Sequence, residues 1–119
     1  MKKFIFAILL LMLTSTTTFA SALYELYPTT NIYNFLKLNT KTGVITKIQF
    51  AINNDAARFE SNINPEPIVS AESSYEGRFK LQPTTNIYNF LLLDQSTGRV
   101  WQVQWSLEQK NCGIIAEIK

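Results

Sequence analysis

The sequence predicts an all-β protein made of two tandem four-stranded antiparallel meanders, arranged as a small barrel or a sandwich. Three observations carry this. The first is a repeat. Pro-Thr-Thr-Asn-Ile-Tyr-Asn-Phe-Leu occurs at 28–36 and again at 83–91, an offset of 55 residues. Leu26 then aligns with Leu81, Leu38 with Leu93, Thr42-Gly43 with Thr97-Gly98 and Gln49 with Gln104, so that 23–52 and 78–107 share 14 of 30 positions. The second is period-two alternation. Trp101, Val103, Trp105 and Leu107 fall on one face of an extended chain, and Gln102, Gln104 and Ser106 on the other. The third is a turn signal that occurs in both copies. Asn39 to Gly43 and Asp94 to Gly98 each set an Asx residue four positions before a glycine. The Asx side chain accepts from backbone N–H groups ahead of it, and glycine tolerates positive φ.

The elements follow in chain order. Lys2 and Lys3 precede a ten-residue apolar run, Phe4 to Leu13, then a Ser/Thr-rich stretch and the small residues Ala20, Ser21 and Ala22. This is the three-part pattern of a secretory signal peptide over 1–22, with cleavage expected after Ala22 or Ala20. The apolar run is short of the roughly 20 residues a membrane span needs. The expected location is therefore the bacterial periplasm or the exterior. Unit one, 23–64, opens with a strand at Tyr24–Tyr27. The repeated motif follows, then Asn39–Gly43, then a second alternating run with Ile48, Phe50 and Ile52 opposite Lys47, Gln49 and Ala51. Arg58–Ile63 closes the unit as a strand, with Asp55-Ala56-Ala57 before it suited to a short helical turn. Residues 65–76 form a linker, because Pro65 and Pro67 oppose both ladder and helix. Unit two, 77–119, repeats the order with Phe79–Gln82, Ile87–Leu93, Arg99–Leu107 and Gly113–Ile118.

Comparing the copies fixes a register. If Asp94 lies opposite Arg99 and Leu92 opposite Trp101, the equivalent pairs in unit one are Asn39 with Val44 and Lys37 with Thr46. An ion pair becomes neutral and an apolar–aromatic pair becomes polar, with both partners changing together, as cross-strand neighbours should. This register places Tyr88, Phe90, Leu92, Trp101, Val103 and Trp105 on one face, the expected core.

The run Leu-Leu-Leu-Asp-x-x-Thr-Gly-Arg-x-Trp resembles the strand–turn–strand of quinoprotein-type β-propeller blades over about 15 residues of each unit. It carries over a hairpin and no cofactor. The repeat as a whole, with Tyr-Asn-Phe-Leu, Thr-Gly-Arg and Trp-Gln-Val-Gln-Trp, is similar to uncharacterised small exported bacterial proteins. That similarity implies a location and no activity.

Composition removes several chemistries. The chain has no histidine, which excludes Ser-His-Asp triads, Cys-His pairs and His-ligated zinc; its single cysteine, Cys112, excludes a disulfide within the chain. No metal-ligand spacing and no glycine-rich phosphate loop occurs, so neither metal nor cofactor is expected. The 11 basic and 9 acidic residues give +2. Lys2 and Lys3 belong to the expected leader, and without them the charges balance. No electrostatic pull toward nucleic acid or an anionic membrane remains. The carboxylates fall mostly in loops and the linker, and Glu72 and Glu76 are the nearest approach to a hydrolase pair.

No catalytic residue is therefore assigned. The leading expectation is an exported, non-catalytic binding or inhibitor module acting on a protein partner. Candidate contacts are Gln49, Gln102 and Gln104 on an uncharged polar face, with Tyr88 and Trp105 if accessible. Asn39, Gly43, Asp94 and Gly98 are assigned to turns. The alternative is a carbohydrate- or cell-wall-binding protein using Tyr33, Tyr88, Trp101 and Trp105, and a carboxylate-based hydrolase stands third. The repeated Asn34 and Asn89 are unusual in apolar strands, because an unpaired amide is costly to bury.

Overall fold

The computed structural model describes residues 22–119. The expected leader lies outside these residues except for Ala22. Unit one runs β1 (Tyr24–Pro28), β2 (Asn34–Asn39), β3 (Ile45–Gln49) and β4 (Phe59–Asn64). Unit two repeats the order as β5 (Phe79–Pro83), β6 (Asn89–Asp94), β7 (Val100–Gln104) and β8 (Gly113–Ile118). Short 3₁₀ turns at Asp55–Ala57 and Gln109–Asn111 precede the closing strands, and a third, Ala71–Ser73, lies in the linker. Each unit is a separate antiparallel meander, ordered β1-β2-β3-β4 and β5-β6-β7-β8. The sheets are not closed into a barrel. They share one core, which is compatible with a sandwich.

The register is the one the paired differences select. Leu92 faces Trp101 and Lys37 faces Thr46. Asp94 N–H donates to Arg99 O at 2.9 Å, and Asn39 N–H to Val44 O at 2.8 Å. The Asp94 carboxylate, however, does not pair with Arg99. It accepts both Nε and Nη2 of Arg78 at 2.9 Å, while Arg99 forks onto Glu117 at 2.8 Å and lies over the Trp101 ring. The reason is side. Asp94 shares the inner face with Phe90 and Leu92, where Arg78 enters β5, and both ends of the Asp94–Arg78 pair are buried. Arg78 holds the Asp94 carboxyl well below the usual carboxylate range, helped by the Thr97 hydroxyl and the Ser96 N–H.

The core takes Leu36, Leu38, Ile45 and Ile63 from the first sheet, and Phe79, Leu81, Phe90, Leu92, Trp101, Val103 and Trp105 from the second. Burying each aliphatic side chain contributes about 1.5–3 kcal/mol. Shifted by 55 residues, these sets do not coincide. Sheet two buries Phe90, Leu92, Trp101 and Val103, whose equivalents Phe35, Lys37, Thr46 and Ile48 point outward. Sheet one buries Leu36, Leu38 and Ile45, whose equivalents Leu91, Leu93 and Val100 point outward. The two copies present opposite faces to their common interface.

This reverses the expectation for β3. Lys47 is 2% exposed, whereas Phe50 is 42% exposed and Ile52 is exposed as well. The Lys47 ammonium reaches across the interface and donates to Ser106 O at 2.7 Å. Other bonds join the units: Phe79 N–H to Thr40 O at 2.8 Å, Gly77 N–H to Thr40 Oγ1 at 3.0 Å, and Leu81 N–H to the Tyr27 hydroxyl at 3.3 Å. Burial, with Glu25 as hydrogen-bond partner, pushes the Tyr27 phenol up to about 12.

Tyr88 of the expected core face lies elsewhere, as does Leu107, which alternates in phase with Trp105. Tyr88 is 49% exposed; it precedes β6, in the turn ahead of the strand. Leu107 is exposed because β7 ends at Gln104 and the chain turns away, with Ser106 N–H donating to Cys112 Sγ. Cys112 is free and packs at the core margin.

Candidate functional site

The repeated motif builds the same corner twice. The first Asn of each copy accepts from the tyrosine backbone: Tyr33 N–H to Asn31 Oδ1 at 2.9 Å, and Tyr88 N–H to Asn86 Oδ1 at 3.0 Å. The first threonine of each copy closes the corner. Thr29 Oγ1 donates toward Asn34 O and Thr84 Oγ1 toward Asn89 O, both at 2.8 Å. These are Asx and ST turns, in which short polar side chains replace backbone partners. They explain the nine-residue identity physically, and they project each tyrosine outward at the end of its sheet.

Beside each tyrosine lies a groove. In unit one it has a volume of about 340 Å³ and is lined by Tyr33, Asn34, Gln49, Phe50, Ile52 and Leu107. In unit two the equivalent groove, about 270 Å³, is lined by Asn86, Tyr88, Asn89, Gln104, Trp105 and Asn111. The first is mostly apolar and the second mostly polar. The aromatic partner differs correspondingly: Tyr33 meets Phe50 edge-on at 5.5 Å between centroids, while Tyr88 leans on Trp105 at 5.7 Å. Trp105 is 2% exposed and donates its Nε1–H to Ile87 O at 2.8 Å. The condition placed on it as a contact residue is therefore not met.

The two asparagines in the strands differ in satisfaction. Asn89 Nδ2 donates to Asn86 Oδ1 at 3.0 Å, and Asn89 Oδ1 accepts from Gln102 Nε2 at 2.8 Å. In unit one the residue equivalent to Gln102 is Lys47, which is committed to Ser106 across the interface. Asn34 Oδ1 is consequently buried, at a groove wall, without a hydrogen-bond partner.

The three glutamines do not form one surface. Gln102 and Gln104 lie on the outer side of sheet two, whereas Gln49 follows Lys47 on the inner side of sheet one, at its edge. Gln49 Nε2 donates to Ala57 O at 3.1 Å, and Gln104 Nε2 to Asn111 O at 2.9 Å. Each amide ties its strand to the 3₁₀ turn before the closing strand. The turn residues also share a job: Asn39 Oδ1 accepts from Lys41 N–H and Asp94 Oδ1 from Ser96 N–H, both at 3.0 Å, with Gly43 and Gly98 at positive φ.

Sequence reasoning did not identify the outer sheet faces. On sheet two a depression of about 270 Å³ is lined by Lys80, Gln82, Leu91, Leu93 and Val100, and Ile118, opposite Val100, extends the apolar surface. On sheet one the corresponding outer face is mixed. Tyr24, Leu26, Phe35 and Ile48 surround a polar centre in which Glu60 accepts from Thr46 at 2.7 Å and pairs with Lys37. Lys37 and Thr46 hold the Glu60 carboxyl below its ordinary value. The apolar character of Leu91 and Leu93 on one side of β6 and Leu92 on the other was the available signal. Among the described residues no helix is long and apolar enough to cross a membrane, and no group of three or more His, Cys, Asp or Glu is placed to hold a metal. Comparison with protein-family models, with curated proteins and with solved structures yields no match.

Proposed function

We propose that this chain is an exported, non-catalytic binding module whose partner is a protein in the bacterial envelope or outside the cell. The observation that supports this reading is the outer face of sheet two. Leu91, Leu93, Val100 and Ile118 lie there together, bordered by Lys80, Gln82 and Gln102. An apolar centre with a polar rim suits a protein surface. Both tryptophans are interior, so they offer no stacking platform to a sugar. The test immobilises the purified protein against an envelope extract at physiological salt, beside a glycan array, and repeats both with Leu93→Lys. Retention of a protein species by the native chain and its loss with Leu93→Lys is the expected result. Glycan retention without a protein partner would overturn it.

The second reading, carbohydrate binding, is favoured by one feature. The groove of unit one sets the unpartnered Asn34 Oδ1 beside the exposed rings of Tyr33 and Phe50. A sugar hydroxyl would satisfy that oxygen while its apolar face lies on a ring. Under this reading Phe50→Ala abolishes glycan retention and leaves the circular dichroism spectrum unchanged.

A further inference from the structure

We infer that the protein binding partner of the preceding reading, on which this inference rests, is a second copy of this chain docked head to tail. The interface inside the chain supplies the pattern. There, the Leu36–Leu38–Ile45 face of sheet one packs on the Phe90–Leu92–Trp101–Val103 face of sheet two. Call the first surface the donor face and the second the acceptor face. Each unit carries both, because each is a version of the same repeat. Unit one uses its donor face and unit two its acceptor face. What remains open is the donor face of unit two and the acceptor face of unit one.

The open donor face retains its chemistry. Leu36 becomes Leu91, Leu38 becomes Leu93, Ile45 becomes Val100 and Ile63 becomes Ile118. Leu36, Leu38, Ile45 and Ile63 are fully or nearly fully buried in the intrachain interface, whereas Leu91, Leu93 and Val100 are half-buried on the outer face and Ile118 is exposed. Lys47, the buried cation of the first donor face, becomes the neutral Gln102, which already has its partner in Asn89. Docking this face thus buries no charge at position 102, and Lys80, opposite Leu93 on the edge strand β5, stays at its border.

The open acceptor face retains an apolar border. Phe90 becomes Phe35, Val103 becomes Ile48, Phe79 becomes Tyr24 and Leu81 becomes Leu26. Its centre is more polar, since Leu92 and Trp101 become Lys37 and Thr46. Those two are satisfied by Glu60. The seam between chains is therefore the weaker version of the seam within one, which makes assembly reversible and concentration-dependent. Applying the intrachain step again between chains gives a heterologous contact. Such contacts either close into a ring or continue as an open series. Repeat arrays that stop growing do so by making a terminal face polar, and Lys37, Thr46 and Glu60 move the open acceptor face part of the way there.

The test is complementation. Leu93→Lys blocks the donor face and Ile48→Lys the acceptor face. Each is followed by sedimentation velocity over a concentration series, with thermal melting to hold folding fixed; Leu93→Gln and Ile48→Gln replace a lysine variant that melts early. The native chain is expected to raise its mean mass by about twofold or more over the monomer. Each variant alone is expected to stay monomeric, and an equimolar mixture of the two to form a one-to-one dimer through the faces left intact. A native chain that stays monomeric throughout overturns the inference. So does an Ile48→Lys variant that still dimerises, which would show that two copies pair symmetrically through sheet two. So does a mixture that fails to pair. A monomeric native chain that captures a different protein through Leu93 would sink self-docking and leave the binding-module reading standing.

Discussion

Trp105 and Phe50 occupy equivalent positions just after β7 and β3, and their surroundings are opposite. Trp105 is closed into the core, and its indole N–H is bonded to Ile87 O. Phe50 stands at the rim of a groove against Tyr33. The same inversion runs through both sheets: what unit two hides, unit one displays. A four-stranded meander with apolar residues on both sides has two faces to bury, and a tandem of two such units has one interface between them. In unit one the polar substitutions fall where the copy meets water, with Lys37 for Leu92 and Thr46 for Trp101, while the outer face of unit two stays apolar. The difference between the copies is thus a record of which face each one buries.

The largest expected effect tests that inversion directly. Trp105→Ala removes a fully enclosed side chain and should lower stability by about 3–5 kcal/mol. Phe50→Ala, at the equivalent position, should lower it by less than about 1 kcal/mol. Urea denaturation of both variants measures the contrast. Equal losses would show that the two sheets bury equivalent faces.

The turn pair gives the next effect. Asp94 and Asn39 both accept backbone N–H groups in their turns, but only Asp94 carries a buried ion pair. Asp94→Asn keeps the turn chemistry that Asn39 already performs and leaves the Arg78 guanidinium without its carboxylate. Breaking a buried pair from one side is expected to lower stability by about 3 kcal/mol at neutral pH. The sign with pH follows from the lowered Asp94 pKa. The folded state binds this proton less tightly than the unfolded chain, whose carboxyl titrates near about 4. The contribution is full above that value and is lost as pH falls below it. Stability of Asp94→Asn should therefore fall less steeply than that of the native chain below about pH 4, measured by urea midpoints across an acid series. Parallel curves would show that the pair contributes nothing.

Strand positions and register were legible in the sequence because two copies of one design check each other. The change of Leu92 and Trp101 together to Lys37 and Thr46 marks a cross-strand pair without reference to any structure. The buried side was not legible. In β6 the run Asn-Phe-Leu-Leu-Leu-Asp offers apolar residues to both faces, and which one meets the other sheet depends on how the sheets dock. The ion pair was half legible. Asp94 and Arg78 change together to Asn39 and Leu23, but Arg99, the nearer residue in the hairpin, also changes, to Val44. Proximity in the loop suggested the wrong cation. Lys47 gave little warning, since lysine is seldom buried; its only trace is the loss of the glutamine that satisfies Asn89 in the other unit. For the site, the motif Asn-Ile-Tyr-Asn-Phe was visible as unusual, and its main role is to build the corners that carry Tyr33 and Tyr88. The three glutamines do not share a surface, because Gln49 and Gln102 lie on opposite sides of their respective sheets.

The smallest contrast isolates packing from conformation. Gly43 and Gly98 end equivalent turns, with φ of +82° and +77°. At that φ any side chain is strained by about 1–2 kcal/mol. At Gly98 nothing lies within 4 Å of where a Cβ would sit, so Gly98→Ala should show the strain alone, about 1 kcal/mol. At Gly43 a Cβ would lie 2.6 Å from Ile68 Cγ1 and 3.4 Å from the Phe79 ring. Ile68 belongs to the linker and is held there by its own N–H, which donates to Thr42 O at 2.8 Å. Gly43→Ala must therefore move the linker off the first turn or the turn off the core, adding about 1–3 kcal/mol of overpacking to the shared strain. Thermal melts of the two variants read the difference. A second variant, Gly43→Ala with Ile68→Ala, should recover part of the loss if contact with the linker is its source. If Gly43→Ala and Gly98→Ala melt together, the linker yields freely, and the first turn is no more constrained than the second.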